Sequence, residues 1–362
     1  MTDVLAKEDV NTGRQIEFDY MKGIFMLFIF LIHAYQATWS DMNLPVNCIY
    51  AFATMSGVAI YIFVMGFGVS YSEKATPSDL VKRGVRMLIL QYLTNLLYVI
   101  SLLIPYPFVR GTLTPDGAEI FELLLYVYIR YVNVFFITGV IYLVLALLKK
   151  FRVPIFVYPI LAIVTALAAP MVYGTSVDAP VLGFIMKLLI GEDVFVSFTP
   201  LYFLPYALIG VAVGKFYRRI KDKALFYRKI IPVCLVIIIA WWVSVFIRLR
   251  PPAEFMQEMD YAYSCPDLWH VIASLAHIIL FAGLLYYYAE HRKTEGYSQF
   301  LYYSKHITLY YALHLTVYLA AFGFHGYIAF GSGSCIILML LSMAVTEVMV
   351  RIINHKKKTC AV

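Results

Sequence analysis

Ten runs of predominantly apolar residues, each about as long as a membrane-crossing helix, constrain this chain more than any other feature. A helix rises 1.5 Å per residue, so roughly 20 apolar residues cover the ~30 Å hydrocarbon core of a bilayer. The runs lie at about 21–39, 48–71, 86–105, 130–148, 153–173, 199–217, 230–248, 267–289, 300–322 and 328–352. Read as helices, they predict an all-α fold: a polytopic membrane helical bundle of about ten transmembrane helices. Composition agrees, with 62% hydrophobic and 14% charged residues against about 25% charged in a soluble domain.

Charge sorts the ends of these spans. With the N-terminus inside, all but five of the 29 lysines and arginines collect on the inner side, including Lys22, Lys82, Arg83, Arg86 and the cluster between Lys215 and Lys229. Only Arg110, Arg130, Lys187, Arg248 and Arg250 fall outside. Such a split predicts that both termini are cytoplasmic. The net charge of +7 then reflects the inner leaflet and gives no sign of nucleic-acid binding.

The first 18 residues are polar, and the apolar run that follows is too long for a cleavable leader and lacks a small-residue cleavage site. The first span is therefore expected to stay as an anchor. No repeat, linker or soluble domain interrupts the chain. One integral-membrane domain over 1–362 is expected, with a cytoplasmic N-terminal segment at 1–20 and a basic cytoplasmic tail at 353–362. Residues 107–129 mix Glu119 and Glu122 with apolar side chains and suggest an interfacial helix. Residues 174–198 and 249–266 read as the largest outer loops. The five cysteines include no C-x-x-C pair, so neither zinc nor redox chemistry is indicated. Cys48 and Cys265 both fall on the outer side, and whether they pair stays open.

One imidazole stands out. His33 sits inside the apolar run from Ile24 to Tyr35, eleven residues after Lys22. A titratable side chain at that depth is costly to keep and marks a candidate functional site. Eleven residues at 100° return His33 to within about 20° of the Lys22 face, roughly 16 Å further along the axis. One face of the first span thus carries a cation at its mouth and a proton acceptor in its middle. His314 lies at a similar depth in span nine, counted from the inner end. His270 and His277 in span eight match no pattern. Gly210 and Gly214 form a small-xxx-small pair suited to helix packing.

The run Phe18-Asp19-Tyr-Met-Lys22-Gly23, with His33-Ala34 beyond it, resembles the opening helix of the membrane acyltransferase 3 family. Further stretches are similar to that family in order: Ile62 to Gly68 in span two, Lys82-Arg83-Gly-Val-Arg86 at span three, Pro200 to Lys215 around span six, and Tyr310-Tyr311-Ala-Leu-His314 in the penultimate span. Lys22 stands where the family usually has arginine, and Met65 where it usually has serine. A lysine keeps the charge but lacks the bidentate fork.

The resemblance implies an acyltransferase of the cytoplasmic (inner) membrane. Its donor would be acetyl-CoA or another acyl-CoA from the cytosol, and its acceptor a hydroxyl on a glycan or glycolipid presented in or across the bilayer; no metal is implied. His33 would act as the general base. Lys22, Arg83 and Arg86 would hold the CoA phosphates near the inner mouth. His314 or Tyr311 would bind the acceptor or stabilise the developing oxyanion. Asp19 lies too far along the helix to touch His33 and would cap the helix and pair with Lys22 or Arg83. Arg130 either snorkels to the outer interface or contacts an anionic acceptor. A transporter or flippase for an acylated or anionic metabolite is the other class in which polar residues stand at mid-membrane depth. No repeated halves with paired Gly/Pro breaks accompany them here.

Overall fold

The computed structural model describes residues 4–38, 44–72, 75–103, 124–125, 127–129, 131–175, 179–190, 199–248, 265–291, 299–325 and 332–359. Among them the chain is helical: α1 (Ile16–Thr38), α2 (Leu44–Tyr71), α3 (Pro77–Leu103), α4 (Val134–Lys150), α5 (Val157–Val172), α6 (Pro180–Ile190), α7 (Pro200–Tyr217), α8 (Lys223–Arg248), α9 (Leu268–His291), α10 (Gln299–Lys305), α11 (Ile307–His325) and α12 (Ser332–Thr359). Seven of these, α2, α3, α4, α7, α8, α9 and α12, are long and apolar enough to cross a membrane. The chain is a multi-pass helical membrane protein.

Several boundaries differ from the sequence expectation, each for a local reason. Helix α3 starts well before residue 86 because Thr76 and Asp79 form a capping box. The Asp79 N–H donates to Thr76 Oγ1 at 3.2 Å, and the Thr76 N–H donates to Asp79 Oδ2 at 3.0 Å. Lys82, Arg83 and Arg86 therefore stand on the first turns of a helix. The stretch 174–198, expected as a loop, contains α6, built on the apolar run Val181-Leu-Gly-Phe-Ile-Met. The span expected at 300–322 is broken at His306 into α10 and α11. The tail expected from 353 is helical to Thr359. Cys48 and Cys265 are both free thiols. Most of 107–129 lies outside the described residues.

Contacts divide the chain into two compact units, Met1–Phe18 with Thr54–Gln91 and Val132–Glu295, and Asp19–Ala53 with Tyr92–Tyr131 and Gly296–Val362. The sequence carries little mark of this division because three of its five boundaries fall inside α1, α2 and α3.

In the first unit α7 is central, with α4, α5 and α6 packed on it and α8 paired with α9. The later half of α2 meets α7 backbone to backbone: a Cβ at Gly66 would strike the Ala207 carbonyl, and one at Gly210 the Phe63 carbonyl. Small residues at such crossings let membrane helices gain dispersion contacts that lipid cannot replace. Ser56 and His277, both buried, hydrogen-bond at 2.7 Å and tie α2 to α9. The polar N-terminal segment is a strap and not a free tail. Leu5 pairs with Ile220 in an antiparallel bridge, the Ala6 N–H donates to the Arg219 carbonyl at 2.8 Å, and Asp9 pairs with Arg218 at 3.0 Å. Glu17 is 1% exposed and accepts from Tyr217 at 2.5 Å and from Lys223 at 3.0 Å. The outward face of α8, with Val236, Ile239, Val243 and Ile247, is bare and apolar, as expected of a helix whose neighbour is lipid.

The second unit gathers most of α1 with α10, α11 and α12. Helix α1 approaches α10 so closely that a Cβ at Gly23 would collide with the Phe300 carbonyl. Tyr318 of α11 donates to the Phe30 carbonyl of α1 at 2.7 Å. Near the other end of α11, Tyr310 donates to Glu347 of α12, whose carboxylate also accepts from Gln299 at 2.9 Å. The Lys22-Gly23 pair of the sequence motif thus has a packing reason for its glycine. Replacing Gly23 with alanine should lower stability by roughly 1–3 kcal/mol through overpacking. Replacing Gly68, where a Cβ meets nothing within 4 Å, should change it by less than about 1 kcal/mol. Thermal unfolding of the two variants in detergent checks this, and equal effects would contradict the close approach.

Candidate functional site

Two helices of the second unit each bring one histidine to the same place. His33 projects from α1 and His314 from α11, and their ring centroids stand 5.0 Å apart at 44°. Phe30, one turn before His33, meets the His314 ring edge to face at 5.7 Å. Tyr311 lies 5.1 Å from His314, and Tyr318 lies 6.2 Å from His33. The Tyr318 hydroxyl bond to the Phe30 carbonyl fixes α11 against α1 at this level, and Ser342 of α12 donates to the His314 carbonyl at 3.3 Å.

The hydrogen bonds of the two rings decide what chemistry they offer. His314 Nδ1 lies 2.7 Å from the Tyr311 carbonyl oxygen. A carbonyl can only accept, so Nδ1 carries the proton and Nε2 of the neutral ring is left with a bare lone pair. His314 is 1% exposed, and its Nε2 has no hydrogen-bond partner among the described residues. His33 Nδ1 stands 3.1 Å from Oε1 of Gln36, which by the same reasoning leaves the His33 Nε2 as an acceptor. His33 is half-buried where His314 is enclosed. Two neutral rings 5.0 Å apart, each with Nε2 as an acceptor, suit hydrogen-bond donors such as the hydroxyl of an incoming molecule.

At the start of α1 a second polar group forms. Asp19 Oδ1 pairs with Lys22 at 2.9 Å and accepts from Ser304 at 3.3 Å. Asp19 is the fourth residue of α1 and stands inside its first turn, not at the N-cap, because the helix already begins at Ile16. Fourteen residues separate it from His33, about 21 Å along a helix. Asp19 therefore orders the base of α1 and does not touch the imidazoles.

Of the other residues marked by the sequence, Arg83 and Arg86 belong to the first unit, exposed on α3. Lys82 and Arg86 edge a shallow groove lined by Val85, Ile89 and Leu90. Arg130 lies outside the described residues. His270 stands edge-on to Trp241 at 5.3 Å. His277, two turns further along the same face of α9, serves the α2–α9 tie already described.

The chain matches no protein family, no curated protein and no solved structure with which it was compared. Its chemistry is therefore read from these residues and from the resemblance noted in the sequence.

Three residues of the site escaped the sequence reading. Gln36 stands three residues after His33, the helical spacing at which side chains meet, so its partnership was visible in principle. Tyr50, whose hydroxyl lies 3.5 Å from the Gln36 amide nitrogen, and Tyr318 come from other segments and had no such signal. Tyr318→Phe should remove the clamp on the Phe30 carbonyl and lower thermal stability by about 0.6–1.7 kcal/mol, the range for hydrogen bonds between membrane helices. Calorimetry or a melting curve in lipid reads the change, and an unshifted transition would count against the clamp.

Proposed function

We propose that the protein is a membrane-bound O-acyltransferase that moves an acyl group, acetyl in the first instance, from cytoplasmic acyl-CoA to a hydroxyl of a glycan or other membrane-presented acceptor. The observation that carries this reading is the pairing of His33 and His314, two imidazoles at 5.0 Å with their Nδ1 protons tied to carbonyl oxygens. The resemblance of the Asp19-to-His33 and Tyr310-to-His314 stretches to the acyltransferase 3 family supports it.

The chemistry needs little else. An alcohol is too weak an acid to attack a thioester unaided, so a base must take its proton as the C–O bond forms. His33 Nε2 accepts that proton while the acceptor oxygen attacks the thioester carbon. The C–S bond then breaks, and the imidazolium returns the proton to the departing thiolate, giving free CoA and an ester. His314 Nε2, being a lone pair, suits an acceptor hydroxyl better than an oxyanion. The oxyanion role passes to a donor, for which the Tyr311 hydroxyl is the candidate. By the resemblance, Lys22, Arg83 and Arg86 are each assigned to donor phosphates, and Arg130 is offered as a contact to an anionic group of the acceptor.

In this reading the ten spans are the seven long helices together with α1, α5 and α11. The distribution of basic residues supports a cytoplasmic side for both termini. The break at His306 and the short α6 lie outside that count.

Purified protein given labelled acetyl-CoA and candidate glycans should release free CoA and leave label on an acceptor. His33→Ala should lower turnover by on the order of 10²–10⁴-fold, the contribution of a positioned base, with folding unchanged by melting curve. Full turnover in that variant would end the base assignment. Arg83→Ala and Arg86→Ala should raise the acyl-CoA concentration needed for half-maximal rate, and an unchanged donor dependence would remove them from the phosphate site. Movement of intact solute without CoA release would favour transport instead.

A further inference from the structure

We infer that Gln36 is a positioning residue that holds His33 in the tautomer with Nδ1 protonated and Nε2 bare. In a neutral imidazole one nitrogen carries hydrogen and the other carries the lone pair, and the partner of one nitrogen decides the state of both. The only hydrogen bond of the His33 ring among the described residues runs to Gln36 Oε1, at 3.1 Å. An amide is ambiguous in this role, because turned over it would present its NH₂ and accept nothing. The direction of the Gln36 amide is therefore what matters.

A second contact matches the direction in which the Gln36 oxygen meets His33. Gln36 Nε2 donates to the Tyr50 hydroxyl, a long bond of 3.5 Å. Tyr50 is completely buried and stacks on Tyr35 at 4.0 Å with 21° between the rings, and Tyr35 in turn donates to Asn47 Oδ1 at 2.9 Å. A stacked aromatic pair between α1 and the start of α2 thus stands at the NH₂ end of Gln36, while its oxygen faces His33. With the amide reversed, His33 would keep its proton on Nε2 and have no lone pair to offer a hydroxyl. The arrangement parallels the base-and-orienter logic of hydrolytic triads, with a neutral amide in the third place. His314 meets the same need through a backbone carbonyl, which cannot turn over. The Gln36 amide is thus the point where the pair is open to disruption.

The catalytic half of this inference rests on the acyl-transfer reading, while the tautomer itself does not. The test is ¹⁵N NMR of protein labelled at its histidine rings, in lipid, with the His33 signals assigned by their loss in His33→Gln. The wild-type protein should show a protonated Nδ1 and an unprotonated Nε2 at His33. Gln36→Leu should shift that ring toward the Nε2-protonated form, and Gln36→Glu, which restores an oxygen, should return the wild-type pattern. In acyl transfer, Gln36→Leu should lower kcat by roughly tenfold to a hundredfold, part of what a positioned base supplies, with KM for acyl-CoA unchanged, and Gln36→Glu should recover most of it. A wild-type His33 protonated on Nε2 would overturn the assignment, as would a tautomer indifferent to Gln36→Leu. The expected tautomers without acyl transfer to any acceptor would uphold the role of Gln36 in setting the ring and defeat the reaction it was proposed to serve.

Discussion

A hydrogen bond from the Nδ1 proton of each imidazole to a carbonyl oxygen is the interaction on which the rest of this site depends. Inside a bilayer an unpaired polar group costs several kcal/mol, so a buried histidine must spend one ring nitrogen on a partner. Here His33 spends it on Gln36 and His314 on the Tyr311 carbonyl. What is left over in both cases is a lone pair, and the two lie on rings 5.0 Å apart. The chemistry available to the pair follows from what the fold has already used up.

Holding two such rings together asks a great deal of the helices that carry them. Lipid offers no hydrophobic reward for joining apolar helices, so contact must come from close backbone approach and interhelical hydrogen bonds. The second unit uses both, with Gly23 pressed to the Phe300 carbonyl and Tyr318 bonded to the Phe30 carbonyl. The first unit repeats the scheme with Gly66 and Gly210 between α2 and α7, and with Ser56 and His277 between α2 and α9. Glycine and buried hydroxyl or imidazole groups do here what a hydrophobic core does in water.

Much of this was legible in the sequence, and the reasons for the rest are physical. Apolar runs of membrane length announce their helices because each must satisfy its own backbone, and His33 announced itself by its cost. Helix starts were less legible. α3 begins at a capping box whose charged first turns looked like a loop, and α6 hid in a stretch judged by its carboxylates and turn formers. The strap formed by residues 4–18 was invisible because its partners, Arg218 to Lys221, lie some 200 residues away and its polar side chains resemble those of any tail. That His33 and His314 share a site was suggested only by family resemblance, since no periodicity relates two helices so distant in the chain.

The central claim is that the two imidazoles act as one device. A double-mutant cycle on acyl transfer with His33→Ala, His314→Ala and both together tests it most directly, because groups that work as a unit lose their effect together. The account predicts that the double variant is no slower than the slower of the single variants. Losses that multiply, or a His314→Ala protein as fast as the wild type, would mean that the rings are merely neighbours.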